Sequence, residues 1–270
     1  MSADKSERNY ETIILEHRDD ADWLTLNRPA ALNAMNRAMI DELSDYFTAL
    51  YRNHSVRVVV LKAAGRAFCA GLDLSDIDGV EGSVQQAYQL QTDIRDIMKA
   101  MRRCPQPIIS QLHGAVCGGG FTMALASDIR IAADNCKMNA AFIKIGLTGC
   151  DMGASYFLPR LVGTSVASEL ILTGRFIDAE RALRVNLVSD VVAKGELEKI
   201  AQIFVDEMLL TAPMGLRLSK DGLNIAIDAP SLDAAMALED RQQILVGQTR
   251  DHLEAVTAFF EKRPPVYQDK

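Results

Sequence analysis

The stretch that decides the fold is Pro107–Ala132, which reads PIISQLHGAVCGGGFTMALASDIRIA. Pro107–Val116 is rich in β-branched and apolar residues and predicts a strand. Gly118-Gly119-Gly120 predicts a tight turn that opens a helix through Ala126, and Asp128–Ala132 predicts the next strand. A buried strand, a turn, a short apolar helix and a second strand are typical of an α/β protein.

The rest of the chain repeats this alternation up to about residue 195. Two strands are predicted at Thr12–His17 and Trp23–Leu26, and the apolar run Val58–Leu61 predicts a strand that is covered on both faces. After about residue 195 the apolar residues follow helical spacing only. We therefore predict an α/β core over residues 1–195 and an all-helical region over residues 196–270 that serves oligomerisation.

The composition excludes several classes of protein. Of the 270 residues, 49% are hydrophobic and 24% are charged, as in an ordinary globular chain. The net charge of −7 makes nucleic acid an unexpected partner, although a local basic patch can still bind a small anion. The five cysteines form no C-x-x-C pair, and the four histidines are scattered, so the sequence predicts neither a disulfide framework nor a metal site.

No membrane segment or targeting signal is expected. Cys104–Ser127 contains no charged residue and is long enough to cross a bilayer, but its two prolines and three consecutive glycines argue against a membrane helix. Met1–Arg8 mixes acidic and basic residues and lacks the apolar core of a signal peptide. The expected location is the cytoplasm.

Two glycine-containing segments are the candidates for chemistry. One is Arg66–Leu74, which follows the Val58–Leu61 strand, and the other is the triplet Gly118–Gly120 at a helix start. The first amides of a helix have no partner within the helix, and the helix dipole favours negative charge there. A glycine lets an anionic atom approach such an amide closely, but a tight turn under close packing explains the triplet equally well. No phosphate-loop pattern surrounds it.

Eight motifs recur in an order that resembles the crotonase, or enoyl-CoA hydratase/isomerase, family. They are WLTLNRPAALNAM (23–35), FCAGLDL (68–74), GGG (118–120), ASDIRIAA (126–133), LPRLVG (158–163), LTGR (172–175), A-x-x-x-x-L-V (182–188) and EKRPP (261–265). The resemblance implies a spiral of ββα units with a helical C-terminal region that builds trimers, often paired into hexamers. It also implies an acyl-coenzyme A thioester as substrate and no further cofactor.

The resemblance assigns roles to residues in both glycine segments. The amides of Leu72 and Gly119 would form an oxyanion hole for the thioester oxygen. Ala70, Asp73 and Leu74 would line the path of coenzyme A together with Arg28, and Arg66 would lie near its phosphates. For both arginines a solvated surface position is the alternative.

Two positions depart from the family pattern. Family hydratases use two glutamates, and by counting from the triplet these fall on Thr122 and Phe142. Adding water to an enoyl group needs one carboxylate to activate the water and another to deliver a proton. The ordinary hydratase mechanism is therefore in doubt, and both residues are expected only to line the acyl group.

Asp151 is the remaining acidic candidate. Counted back from Leu158, it matches an aspartate that moves a proton in the dienoyl-CoA isomerases and acts as nucleophile in the chlorobenzoyl-CoA dehalogenases. The alternative is a helix cap that accepts from the Gly153 or Ala154 amide. We predict an enzyme that works through a thioester enolate with Asp151 as acid/base. A dienoyl-CoA isomerase-like reaction, an aryl-CoA dehalogenase-like reaction and a non-catalytic acyl-CoA-binding protein remain open.

Overall fold

The computed structural model describes residues 10–75 and 83–270, so Met1–Arg8 lies outside the described residues. The strands are β1 (Ile13–Arg18), β2 (Ala21–Leu26), β3 (Val58–Ala63), β4 (Ile108–Leu112), β5 (Ala115–Cys117), β6 (Ile129–Ala133), β7 (Lys137–Asn139), β8 (Ile177–Asp178) and β9 (Asp190–Val192). The helices are α1 (Arg37–Leu50), α2 (Val84–Arg103), α3 (Gly119–Ala126), α4 (Ala154–Thr173), α5 (Ala179–Arg184), α6 (Leu197–Leu209), α7 (Pro213–Ala226), α8 (Leu232–Gly247) and α9 (Arg250–Glu261).

The strands form two sheets. The larger sheet has the order β1-β2-β3-β4-β6-β9, and all its neighbours are parallel except the β1–β2 hairpin. The smaller sheet has the order β5-β7-β8. One face of the larger sheet packs in a core with α1, α2 and α3, and the other face packs on α6 through residues such as Trp23 and Val60. Because both faces are covered, the Val58–Leu61 run of β3 is fully buried, as its apolar sequence predicted.

The predicted strand at Pro107–Val116 is two strands, and this part of the prediction is wrong. Gly114 has φ +57° and separates β4, in the larger sheet, from β5, in the smaller one. A Cβ on Gly114 would lie 2.1 Å from the carbonyl oxygen of Arg66. The chain can therefore change sheets here only because residue 114 has no side chain.

The C-terminal helices differ in how they pack. Helix α6 lies on the larger sheet through Leu197, Ala201 and Val205, whereas α8 contains no buried residue. Helices α8 and α9 expose apolar side chains, namely Leu232, Met236, Ile244, Leu245, Leu253, Val256, Phe259 and Phe260. Within residues 10–75 and 83–270, no helix combines the length and apolar character that crossing a membrane requires.

Candidate active site

The two glycine segments meet in the structure. On one edge of the first segment, the Cys69 amide donates to Ala115 and the Cys69 carbonyl accepts from Cys117, so β5 runs beside it. On the other edge, Met35 forms an isolated parallel β-bridge with Leu72. A Cβ on Gly71 would lie 3.2 Å from the Cys117 carbonyl oxygen and 3.8 Å from the Gly118 Cα. The backbone at Gly71 thus touches the turn that opens α3.

The Leu72 amide points toward that turn. The Gly71 carbonyl accepts from the Met35 amide at 2.8 Å. Because the peptide bond is trans, the Leu72 N–H points the opposite way, to the edge on which β5 lies. Among the residues that the structure describes, no acceptor takes this N–H.

The Gly119 amide is the second free donor. Gly118 has φ +50° and ψ −118°, a conformation that favours glycine, and Gly119 is the first residue of α3. The first α3 amide to bond within the helix is that of Thr122, which donates to Gly118. In the described part of the chain the Gly119 N–H also has no acceptor. Two unpaired amides on touching segments can receive one anionic oxygen.

Close packing accounts for the rest of the triplet. A Cβ on Gly120 would lie 2.6 Å from both the Cβ and the carbonyl oxygen of Cys69, and one on Gly119 would lie 2.1 Å from the Met35 methyl group. Close packing, one of the two explanations that the sequence left open, therefore applies, and the free Gly119 amide is compatible with the other. The triplet packs tightly against the first segment, and this packing brings the segments that carry the two amides into contact.

The positions of the family glutamates hold no group that can ionise. The Thr122 hydroxyl is buried and donates to the Gly119 carbonyl at 2.9 Å, so it serves the helix backbone. Phe142 is 7% exposed, and its ring edge lies 3.5 Å from where a Cβ on Gly118 would be. An apolar ring therefore covers the turn in place of a carboxylate.

Asp151 lies just before α4. Its Oδ1 accepts from the Met152 amide at 2.7 Å and from the side-chain amide of Gln91 on α2. The Gly153 and Ala154 amides make no bond to this side chain, and the Ala154 amide donates to the Asp151 carbonyl. The capping interaction considered from the sequence is therefore absent. The second carboxylate oxygen, Oδ2, accepts no hydrogen bond from the described residues.

Met152 connects Asp151 to the two amides. Its φ of +45° is rare for a residue with a long side chain and reverses the chain just before α4. Its Cε lies 3.4 Å from the Cβ position on Gly119, and its Sδ is 3.9 Å from the Thr122 hydroxyl. The residue next to the candidate acid thus contacts the residue that carries a free amide.

The residues predicted for coenzyme A fall in two groups. Arg28 pairs with Asp73 at 2.9 Å and also donates to the Ala34 carbonyl, so it is not a freely solvated arginine. Hydrogen bonds from the Ser75 hydroxyl and from Arg28 hold the pKa of Asp73 below its usual value. Arg66 and Leu74 are exposed. Their binding role remains a prediction, as does that of half-buried Ala70.

Sequence reasoning missed two features around this site. One is Gln91, sixty positions from Asp151, which nothing in the local pattern of α2 distinguishes. The other is a basic cavity between α2, α4 and α7, to which Met152 and Gly153 contribute. The sequence did contain a signal for this cavity. Four basic residues of α2 are spaced so that they share one helix face, namely Arg95, Lys99, Arg102 and Arg103.

Comparison with known proteins identifies the family of the chain. The profile of the family described as enoyl-CoA hydratase/isomerase matches residues 22–270. "Probable enoyl-CoA hydratase EchA12" of Mycobacterium tuberculosis is 37% identical, with 95% of this chain and 93% of the relative covered. The 1,2-epoxyphenylacetyl-CoA isomerase of Escherichia coli is 34% identical, with 92% and 94% covered.

Solved structures give the same result. The crystal structure of an enoyl-CoA hydratase from Bacillus anthracis superposes with a TM-score of 0.91 at 32% identity, covering 96% of this chain and all of that one. The fold is accordingly the crotonase fold that the sequence predicted. The chain belongs to the enoyl-CoA hydratase/isomerase family and is an enzyme of that family acting on acyl-CoA.

Proposed function

We propose that the enzyme moves a proton on an acyl-CoA thioester, an isomerisation that passes through an enolate. The observation that carries the proposal is the pair of free amides, Leu72 and Gly119, on segments in contact at Gly71 and Gly118. Fixed donors stabilise an oxygen that gains negative charge in the transition state without reorganising. The thioester oxygen would lie between them.

Asp151 is the proposed acid and base. Isomerisation of a 3-enoyl thioester removes one proton from Cα, moves the electron pair to the thioester oxygen, and returns a proton at Cγ as the carbonyl re-forms. One carboxylate can do both steps, whereas water addition by the family's glutamate pair needs two. The hydroxyl at Thr122 and the ring at Phe142 therefore favour isomerisation over ordinary hydration.

The same proposal covers substrate binding. Arg28, Ala70, Asp73 and Leu74 would line the coenzyme A path, with Arg66 at its phosphates. The Arg28–Asp73 ion pair supports this role. It ties the segment that leads to Met35 to the residue that follows Leu72, and so holds the two segments joined by the Met35–Leu72 β-bridge. Coenzyme A arrives as part of the substrate, and the proposed reaction uses no other cofactor.

A panel of thioesters tests the proposal against non-catalytic binding. Crotonyl-, 3-enoyl-, dienoyl- and aryl-CoA compounds would be incubated with the enzyme and the products separated by chromatography. We expect turnover of the 3-enoyl or dienoyl compound and little hydration of crotonyl-CoA. Tight binding of all four compounds without any product would overturn the enzymatic proposal in favour of a binding protein.

Gly119→Pro tests the oxyanion amide directly. Proline removes the N–H, and it is well tolerated at the first position of a helix. We expect kcat to fall about 10²–10³-fold, as for other single oxyanion donors. The matched control is Gly119→Ala, which adds a Cβ against the same Met35 methyl group but keeps the N–H. Equal kcat values for the two variants would exclude this amide from the oxyanion hole.

We also propose that residues 196–270 join subunits into a trimer or hexamer. The support is the row of exposed apolar side chains on α8 and α9, because large apolar patches mark interfaces. Phe259→Glu is expected to lower the mass measured by light scattering toward that of one chain. Leu172→Glu, an exposed leucine outside this region, is the control and is expected to leave the mass unchanged. An unchanged mass for Phe259→Glu would place the interface elsewhere.

A further inference from the structure

A cavity of about 1080 Å³ lies between helices α2, α4 and α7. It is as large as the larger ligand pockets of proteins, which reach about 1,000 Å³. Apolar side chains from all the surrounding helices line it, among them Met98, Leu125, Phe157, Leu161 and Leu223. Its lining suits a hydrocarbon chain.

The cavity adjoins the proposed active site through Met152. Met152 lines it and also contacts Gly119 and Thr122. Leu125 also lines the cavity. It lies six residues after Gly119 on α3, which corresponds to about 9 Å along the helix axis. An acyl group whose thioester oxygen lies at Gly119 would therefore pass Met152 and enter the cavity alongside α3.

The cavity is strongly basic, although the whole chain carries a net charge of −7. Of the described residues that line it, six are arginine or lysine and one, Asp128, is acidic. Asp96 pairs with Arg95 and Lys99, and Asp228 pairs with Arg160. Asp128 is shared by Arg102 and by Lys220, whose ammonium group also binds two backbone carbonyls. The carboxylates are therefore outnumbered.

Arg103 is the clearest free cation of this cluster. It is exposed at the end of α2, and its guanidinium lies 5.5 Å from the centre of the Tyr51 ring. In the part of the chain that the structure describes, it forms no ion pair with a carboxylate. An apolar cavity with surplus guanidinium and ammonium groups is complementary to a hydrocarbon chain that ends in an anion.

We propose that the substrate's acyl group carries a second, terminal carboxylate, which Arg103 and Lys99 bind where the C-terminal part of α2 borders the cavity. This inference rests on the proposed function, since it assumes that the thioester oxygen lies at Leu72 and Gly119. A carboxylate on guanidinium and ammonium groups gains charge-assisted hydrogen bonds, whereas a methyl terminus at the same place gains none. The cavity would thereby select dicarboxylic over monocarboxylic acyl groups.

Calorimetric titration of two eight-carbon ligands tests the proposal without depending on turnover. The ligands are octanoyl-CoA and the mono-thioester of octanedioic acid with coenzyme A. At about 20 mM salt we expect the dicarboxylic ligand to bind about tenfold more tightly, and the preference to shrink at 0.5 M salt because the charges are screened. The double variant K99Q/R103Q is expected to bind both ligands equally. Arg184→Gln, which removes an exposed arginine on α5, is the control and should keep the preference.

A second variant tests the route into the cavity. Leu161→Trp, in the cavity lining but without a contact at Gly119 or Asp151, is expected to fill it, weakening octanoyl-CoA binding about tenfold or more while leaving acetyl-CoA binding within twofold. Equal binding of the two eight-carbon ligands to the wild-type enzyme would overturn the inference and leave the proposed function standing. A preference that persists in K99Q/R103Q, or unchanged octanoyl-CoA binding in Leu161→Trp, would also overturn it. Failure of every thioester to bind would overturn the proposed function together with it.

Discussion

Replacing Asp151 with asparagine is expected to lower kcat by about 10²–10⁴-fold, the usual contribution of a general acid or base. Asparagine has the shape of aspartate, and its side-chain oxygen can still accept from the Met152 amide. It cannot take up a proton. Acyl-CoA affinity, measured by titration, is therefore expected to change little while turnover is lost.

Asp206→Asn is the matched control for this variant. Asp206 is an exposed aspartate on α6 whose carboxylate accepts a hydrogen bond from a glutamine side chain, as Asp151 does from Gln91. The substitution makes the same change of charge away from the site and should leave kcat within twofold. If Asp151→Asn has the wild-type kcat and the wild-type circular dichroism, Asp151 only orders the α2–α4 junction and another group moves the proton.

Gly114→Ala is expected to cause the largest loss of stability. At φ +57° an alanine costs about 1 kcal/mol, and its Cβ would lie 2.1 Å from the backbone oxygen of Arg66. No rotation of a side chain can relieve a contact between a Cβ and backbone. Because the Phe68 amide donates to His113 and the Lys137 amide donates to Gly114, the two sheets are anchored at this turn. We expect the free energy of unfolding to fall by about 3–5 kcal/mol, near the upper end for single substitutions.

Guanidinium unfolding followed by circular dichroism measures this loss, together with the melting temperature. For a chain of this size about 1 kcal/mol corresponds to about 2–4 °C, so a fall of about 10 °C is expected. Gly195→Ala is the control, because no atom lies within 4 Å of the new Cβ and its φ is not in the left-handed region. Equal melting temperatures for the two variants would show that the contact between Gly114 and Arg66 relaxes at little cost.

The helices and strands were largely predictable from periodicity. Apolar runs such as Val58–Leu61 and helical spacing after residue 195 depend on side-chain chemistry within a few residues, and each appears in the structure. The break at Gly114 was not predictable in this way. A continuous apolar stretch is compatible with one strand or two, and only the close approach of Arg66 selects between them.

The candidate site was predictable in part, through the two glycine segments and Asp151. The sequence indicated which backbone positions lack side chains, but either packing or binding could explain them. The direction of the Leu72 N–H depends on the Met35 bridge, whose partners are 37 positions apart. That bridge and the free Gly119 amide together are what make the packed glycines a candidate oxyanion hole.

The sequence by itself determined the α/β class, the family and the absence of acidic residues at positions 122 and 142. These properties follow from residue types and their local spacing. Only the tertiary structure decided that Asp151 contacts Gln91 and adjoins Gly119 through Met152, and that basic residues of α2 and α4 surround an apolar cavity. Such contacts join elements far apart in the chain, and packing of the whole core, which no local pattern specifies, sets their distances.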